Sequence, residues 1–165
     1  YTWGVNAGQA SGDDLGTDKK FEGFHFDRNY NVALLLFNQQ LGNADIFQNS
    51  LIGGGGQGGA NGNTSVDVET VSNVVYLAPW IDYKWKEHWT VTAKLVTGSV
   101  GEALNNGDTD LGFEVDLGLN YRADSGFVWV NELGFFTPGK AFEGGSSNLD
   151  TKSALGFVSK FAITF

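Results

Sequence analysis

One stretch of the chain, residues 110–123, alternates between apolar and polar side chains over more residues than a strand of a soluble protein usually has. Its odd positions from Leu111 to Tyr121 are apolar, and its even positions from Gly112 to Arg122 are glycine, acidic, amide or basic. Successive side chains of a β-strand point to opposite faces, so one face of this strand is expected to be wholly apolar. Such alternation is ordinary over about five residues of a soluble sandwich and rare over about twelve. The length therefore favours a strand that crosses a bilayer.

Five further segments repeat the pattern. The six expected strands cover residues 1–9, 70–86, 88–99, 110–123, 126–138 and 152–165. A bilayer-spanning barrel needs strands of about 9–11 residues that are apolar outside and polar inside. The alternative, a soluble antiparallel sandwich, would use shorter strands and cover its apolar faces. We expect an all-β fold, an antiparallel up-and-down transmembrane β-barrel that forms a single domain over residues 1–165.

The connections between these strands alternate in length. Lys86–His88 and Ala123–Gly126 are tight turns, whereas Val100–Asp110 and Gly139–Asp150 are longer and polar. Barrels of the outer membrane have short periplasmic turns and longer extracellular loops. Aromatic residues also gather at the short-turn end, where an interfacial girdle is expected: Trp85, Trp89, Tyr121, Phe127, Trp129 and Phe165, with Tyr1 and Trp3 if the first strand runs outward.

Composition excludes several classes of function. The chain has 19 acidic and 10 basic residues and a net charge of −9, which argues against nucleic acid as a partner. It has no cysteine, so a disulfide scaffold, a thiolate metal site and a cysteine nucleophile are excluded.

The longest apolar run, Val32–Phe37, has six residues, far fewer than the roughly 18 of a transmembrane helix. A membrane-spanning form must therefore be a closed barrel. No leader peptide is expected, because Tyr1 opens directly into strand-like sequence.

The last twelve residues, ALGFVSKFAITF, end in an aromatic residue preceded by apolar residues at the third, fifth and ninth positions from the end. This pattern resembles the terminal strand that the outer-membrane assembly machinery of Gram-negative bacteria recognises. Ser159 departs from it, and Lys160 stands where glycine is often found. The resemblance implies a bacterial outer-membrane location, contact with outer-membrane lipid and lipopolysaccharide, and the assembly machinery as a partner during biogenesis. The residues that would carry the signal are Phe157, Phe161, Ile163 and Phe165.

A second resemblance lies near the beginning of the chain. The sequence AGQASGDD, followed by FHFDRNYNVALLLFNQQLGN, is similar to an extracellular loop region of larger porin-like barrels, including those of the alginate-export type. The similarity implies a loop after Ala10 and no particular ligand.

The number of strands leaves two alternatives open, because closed membrane barrels of this kind begin at eight strands. Either the chain is the C-terminal portion of a larger barrel, whose further strands lie on another chain or fragment, or residues 21–52 hold two more strands. Val32–Phe37 is continuously apolar and fits a packed plug segment, a short helix or a strand buried on both sides. Gly53–Gly59 is linker-like. We favour the incomplete barrel, with residues 10–69 as a long extracellular loop or plug that folds inward to constrict the pore.

Charged residues on the polar faces of the expected strands are the best functional candidates. Opposed charges inside a pore set its ion preference and create a transverse field. An equally weighted alternative is that four of them, Lys84, Lys94, Glu114 and Asp116, pair across neighbouring strands and brace the wall. The candidate pore-lining residues are Asp82, Lys84, Lys94, Glu114, Asp116, Arg122 and Glu132.

Other polar residues give weaker signals. Asp13, Asp14 and Asp18 lie in a glycine-rich stretch and could offer oxygen ligands to calcium, but the twelve-residue calcium-loop pattern is missing. Solvated loop acids are the favoured interpretation, and no metal or cofactor is expected. His25 and His88 lack an evident partner for a metal site or a catalytic triad.

These observations favour a porin-like channel for passive diffusion of small hydrophilic solutes over an enzyme. The alternative is a structural or adhesive outer-membrane barrel that conducts nothing. Strand number separates the two, because eight strands leave an interior filled by side chains and about fourteen or more leave water.

Overall fold

The structure is a computed structural model, and every structural statement below concerns the residues that it describes. Those are residues 1–12, 24, 26–27, 30–37, 73–101, 108–142 and 151–163. Six strands are present in chain order: β1 Thr2–Ala10, β2 Val74–Lys86, β3 Trp89–Val100, β4 Asp110–Arg122, β5 Phe127–Pro138 and β6 Ala154–Ile163. A single turn of 3₁₀ helix, Lys140–Phe142, follows β5. Among these residues, no helix combines the length and the hydropathy that a membrane crossing requires.

The six strands form one antiparallel sheet in up-and-down order, β1-β2-β3-β4-β5-β6. The expected all-β class and the six antiparallel strands are therefore confirmed. The expected closed wall is not formed, because β1 and β6 are the two edges of the sheet. The alternative of a complete eight-stranded barrel requires two additional strands within residues 21–52. The described residues of that stretch, which include 30–37, form no strand, and the others lie outside the described residues.

Apart from the pairs Lys86–Trp89 and Ser99–Asp110, which follow register shifts, the sheet keeps even-numbered residues opposite even-numbered ones from β1 to β6. Examples are the pairs Lys94–Asp116 and Gly134–Gly156. Alternation therefore sorts the strand residues into two surfaces, which we call the even face and the odd face. All large apolar side chains that the strands leave exposed belong to the odd face.

An irregular stretch, residues 30–37, packs on the even face, and we call it the covering segment. It turns at residues 34–37 and forms neither helix nor strand, and Phe37 adopts a left-handed conformation with φ of 75°. All residues from Val32 to Phe37 are buried. The hydrophobic core lies between this segment and the half of the sheet near the long connections, and it includes Val74, Val96 and Phe136.

Glycines on the even face let the covering segment approach the sheet closely. A Cβ atom at Gly156 would lie 2.5 Å from Cδ2 of Leu35, and one at Gly134 would lie 3.1 Å from Cδ2 of Leu34. These two glycines are direct partners on β5 and β6. Their lack of side chains makes the shallow surface on which the leucines rest.

Candidate functional site

The centre of the even face carries two carboxylates beneath the covering segment. Glu114 and Asp116 are two positions apart on β4, so they share a face. Glu114 is fully buried and Asp116 is 8% exposed. Acidic residues are rarely buried to this degree without partners, so the partners of this pair define the site.

Three consecutive backbone N–H groups of the covering segment donate hydrogen bonds to these carboxylates. The N–H of Leu35 donates to Oε1 of Glu114 at 2.7 Å, and the N–H of Leu36 donates to Oε2 of the same carboxylate. The N–H of Leu34 donates to Oδ2 of Asp116 at 3.2 Å. The covering segment pairs with no strand in the described part of the chain. Three of its backbone N–H groups are instead bonded to side chains of the sheet.

Lys94 completes the polar cluster from the neighbouring strand. It lies on β3 directly opposite Asp116, and its Nζ is 3.7 Å from Oδ2 of that residue. The same ammonium donates a hydrogen bond to the carbonyl oxygen of Val32 at 3.1 Å. Oδ1 of Asp116 is buried and has no hydrogen-bond partner in the described part of the chain. One lysine therefore neutralises part of a two-carboxylate cluster and also holds the segment.

An aromatic cluster surrounds Tyr76 at the long-connection end of the same face. The hydroxyl of Tyr30 hydrogen-bonds the hydroxyl of Tyr76, and Phe26 stacks on Tyr30 with ring centroids 5.1 Å apart. Phe37 lies on the other side, 6.1 Å from the ring of Tyr76. Both ends of the covering segment therefore contact one ring. The sequence analysis missed this cluster, and the available signal was glycine opposite Tyr76 on both neighbouring strands, at Gly8 and Gly98.

All seven expected pore-lining charges lie on the even face, but the structure does not bring them together. Lys94, Glu114 and Asp116 lie under the covering segment. The other four lie nearer the short turns: Asp82, Lys84, Arg122 and Glu132.

Two of these four residues have partners on adjacent strands. Oδ1 of Asp82 accepts a hydrogen bond from Thr92 at 2.7 Å. The carboxylate of Glu132 forms an ion pair of 3.1 Å with Lys160. Lys160 was not among the expected pore-lining residues, although its even number places it on the same face.

The odd face is largely apolar, and each of the six strands exposes at least one large apolar side chain on it. It includes the three described residues of the expected assembly signal, Phe157, Phe161 and Ile163, which are all exposed. Phe165 lies outside the described residues, as do Asp13, Asp14, Asp18 and His25. The described part of the chain contains no group of three or more metal-ligating side chains that could hold a metal ion.

Two polar residues interrupt the half of the odd face near the short turns, and they are paired with each other. Asn131 and Ser159 are direct partners on β5 and β6. The hydroxyl of Ser159 donates to Oδ1 of Asn131 at 2.8 Å and accepts from the indole N–H of Trp129 at 3.0 Å. Nδ2 of Asn131 also donates to the carbonyl oxygen of Leu119 at 3.4 Å. Each of these two polar side chains thus has a hydrogen-bond partner within the face.

Aromatic side chains contact one another at the short-turn end of the odd face. Trp89 lies 4.9 Å from the ring of Tyr121 and 6.3 Å from that of Trp129, between centroids. Phe127 lies 6.2 Å from Tyr121. Lys86 places its ammonium 4.9 Å from the ring centroid of Trp85. The result is a band of aromatic rings at one height of the sheet.

Comparison of the chain with protein-family models, with curated proteins and with solved structures finds no match.

Proposed function

We propose that the chain forms part of a porin-like channel in a bacterial outer membrane, for passive diffusion of small hydrophilic solutes. The observation that carries the proposal is the odd face, which exposes large apolar side chains on six adjacent strands. Monomeric soluble proteins rarely expose contiguous apolar patches above a few hundred Å². Lipid hydrocarbon is the solvent in which such a face is stable.

Strand length supports a bilayer as the medium in contact with this face. The strands have 9 to 13 residues. A tilted strand of about 9–11 residues is enough to cross the hydrocarbon region. The aromatic band at the short-turn end has the position of an interfacial girdle, where rings with one polar edge lie at the headgroups.

The Asn131–Ser159 pair is also compatible with lipid contact. An unsatisfied polar group in hydrocarbon costs several kcal/mol, by order of magnitude. Both side chains are hydrogen-bonded within the face, to each other, to Trp129 and to the backbone of β4. Their polarity therefore does not require water on this side of the sheet.

The even face supplies the polar wall that a hydrophilic solute needs. Its half near the short turns carries charges of both signs outside the covering segment, from Asp82 and Lys84 on β2 to Lys160 on β6. Opposed charges on a pore wall orient water and discriminate between ions. A passive channel of this kind needs no catalytic residue and no cofactor.

The two edges of the sheet are the reason that the proposal includes a partner. Among the described residues, β1 and β6 each have one side that pairs with no strand, and unpaired backbone groups are not tolerated in hydrocarbon. Six strands are also fewer than the eight of the smallest such barrels. Within the proposal, further strands from another chain or fragment pair with β1 and β6 and close the wall.

Two measurements test the proposed function: conductance after reconstitution into planar lipid bilayers, and the mass of the extracted protein. The protein is extracted with detergent from its native membrane and run on a gel unheated and heated, and its intact mass is measured. We expect ohmic conductance steps, together with a larger species or a partner fragment that separates on heating. Partition of the protein into the aqueous phase, with no insertion into vesicles, would contradict the proposal.

The alternative is a structural or adhesive barrel that conducts nothing. One observation favours it: the covering segment fills the half of the even face near the long connections. Stable insertion into vesicles without conductance, by a single species near the 17.8 kDa of this chain, would support that alternative.

A further inference from the structure

We infer that Glu114 and Asp116 form a proton-binding site, in which the pair holds one proton at neutral pH in a hydrogen bond between the two carboxyl groups. Two carboxylates cannot bond to each other, because an ionised carboxyl group has only acceptor atoms. A single proton supplies the missing donor. The inference goes beyond the proposed function, and it is the same for a conducting and a non-conducting barrel.

The two side chains approach each other above Gly134 of β5. A Cβ atom at Gly134 would lie 3.1 Å from Oδ1 of Asp116 and 3.1 Å from Oε1 of Glu114. Both oxygens therefore border the same small space, and Cδ2 of Leu34 borders it from the covering segment. The two side chains are within hydrogen-bonding reach of each other. A bond between the two carboxyl groups therefore requires a proton and no movement of either residue.

One oxygen atom of the pair lacks a partner. Oδ1 of Asp116 is buried and has no hydrogen-bond partner in the described part of the chain. Oδ2 of the same residue accepts a hydrogen bond from the N–H of Leu34 at 3.2 Å and lies 3.7 Å from Nζ of Lys94. Buried polar atoms of folded proteins nearly always have a partner. A shared proton gives Oδ1 its partner on Glu114, whichever of the two carboxyl groups acts as the donor.

The charges of the cluster balance when one proton is added. Glu114 is fully buried and Asp116 nearly so. Burial of an ionised carboxylate is costly unless an opposite charge compensates it. Lys94 supplies one positive charge against two carboxylates, and the proton removes the remaining negative charge. The other residues that are directly paired with the two acids or bonded to them carry no charged side chain: Leu34, Leu35, Leu36, Val96, Gly134 and Phe136.

The titratable groups of the other neighbouring elements have different contacts. The hydroxyl of Tyr30, on the covering segment, bonds to that of Tyr76 on β2. Lys140 lies on the 3₁₀ turn that contacts β4, and it is exposed. In the described part of the chain, none of these groups bonds to the pair. The proton is therefore assigned to the two acids.

The pH dependence of unfolding tests the inference. Isolated carboxyl groups are ionised between about pH 6 and pH 8, so unfolding releases the shared proton in this range. The native state then binds one proton more than the unfolded state, and its stability falls as the pH rises. We expect the pair to raise the unfolding constant about tenfold per pH unit, measured by urea titration of the protein in detergent micelles. Both histidines are present in every variant compared, so their contributions cancel.

Two amide variants and one control isolate the contribution of the pair. Asp116→Asn and Glu114→Gln each put an N–H donor in place of the shared proton, so each should lose the tenfold dependence. Glu132→Gln is the matched control, because it removes a carboxylate of the even face whose partner Lys160 is exposed, and it should keep the dependence. The readout is a slope, so a loss of absolute stability in a variant does not affect it. If both amide variants keep the dependence, or only one loses it, the shared site is refuted.

Infrared spectroscopy of the folded protein gives a measurement that does not depend on unfolding. A protonated carboxyl group and a carboxylate absorb at different frequencies. We expect the band of a protonated carboxyl group at neutral pH in the original protein and in E132Q, and its loss in D116N and in E114Q. Absence of the band from the original protein would overturn the inference. If the stability of that protein then rises with sodium concentration, a metal cation balances the cluster instead of a proton.

Discussion

The even and odd faces are built from the same six strands, yet the even face is partly covered and the odd face is largely exposed. On the even face, Glu114 is fully buried and is covered by an apolar segment. On the odd face, Phe161 is 77% exposed and nothing in the described part of the chain covers it. A soluble sheet with one covered face would place its leucines and phenylalanines beneath the covering layer. The even face thus combines a hydrophobic core with buried polar contacts, and the exposure of the odd face is what the proposed contact with hydrocarbon would account for.

Both faces nevertheless obey the same rule for polar groups. Glu114 and Asp116 are stable under the covering segment because backbone N–H groups and Lys94 surround them. Asn131 and Ser159 are stable among apolar side chains because they are bonded to each other. A polar group away from water is tolerated when its partners are supplied by the protein.

The largest expected effect comes from Glu114→Ala on the even face. The substitution leaves the N–H groups of Leu35 and Leu36 without acceptors, at about 1–3 kcal/mol for each buried donor. We expect the segment to lose protection from hydrogen exchange while the strands keep theirs, which amide exchange in detergent micelles measures. Glu132→Ala is the matched control, because its partner Lys160 is exposed. Unchanged exchange at residues 35 and 36 would contradict the assigned role of Glu114.

The next largest effect is expected on the odd face, and it tests whether lipid or water contacts that face. Leu117→Lys places a charge midway along β4 on that face. At a bilayer midplane, this should destabilise the protein by about 2–4 kcal/mol. At a water-exposed position, the change should stay within about 0.5 kcal/mol. Urea unfolding in lipid vesicles measures the difference. Asn120→Lys is the control, because it lies on the even face of the same strand. Equal costs for the two variants would remove the distinction between the faces.

Overpacking of the even face should give a smaller effect. A valine at Gly156 meets Cδ2 of Leu35 at 2.5 Å from its Cβ, and overpacking of this kind costs about 1–3 kcal/mol. Shortening the opposing side chain with Leu35→Ala should recover part of the loss in the double variant. Chemical denaturation of the two single variants and the double variant checks this. Strict additivity would mean that the two residues do not meet.

The strands could be predicted from the sequence because alternation is a local signal. Residues 110–123 were expected as a strand, and the structure places β4 at Asp110–Arg122. The sequence places Glu114 on the polar face in the same way. It does not identify the partners of Glu114, because the bond from Leu35 joins residues 79 positions apart. Contacts of that separation depend on strand register and on the path of a connection, which alternation does not encode.

The covering segment could not be assigned from the sequence for a related reason. Val32–Phe37 is apolar throughout and has no period, so the sequence is compatible with a plug segment, a short helix or a buried strand. In the structure, its donors bond to the carboxylates of Glu114 and Asp116, and this interaction depends on no side chain of the segment. A backbone that bonds to distant side chains leaves no signature in its own residue types.

The smallest expected effect tests the polar pair of the odd face. Asn131 and Ser159 interrupt the apolar pattern when each strand is considered alone, and only the register shows that they are partners. Either Asn131→Leu or Ser159→Leu leaves the other polar group without its partner, at about 1 kcal/mol or somewhat more. The double variant replaces both by apolar groups and should cost less than the sum of the two single substitutions.

A double-mutant cycle, measured by unfolding in vesicles, gives the coupling energy. If the double variant is at least as stable as the original protein in lipid, the pair is not needed for stability, and hydrocarbon contact at this height of the odd face is supported. If the double variant loses the sum of both single effects, the two side chains act independently and the pairing has no energetic role.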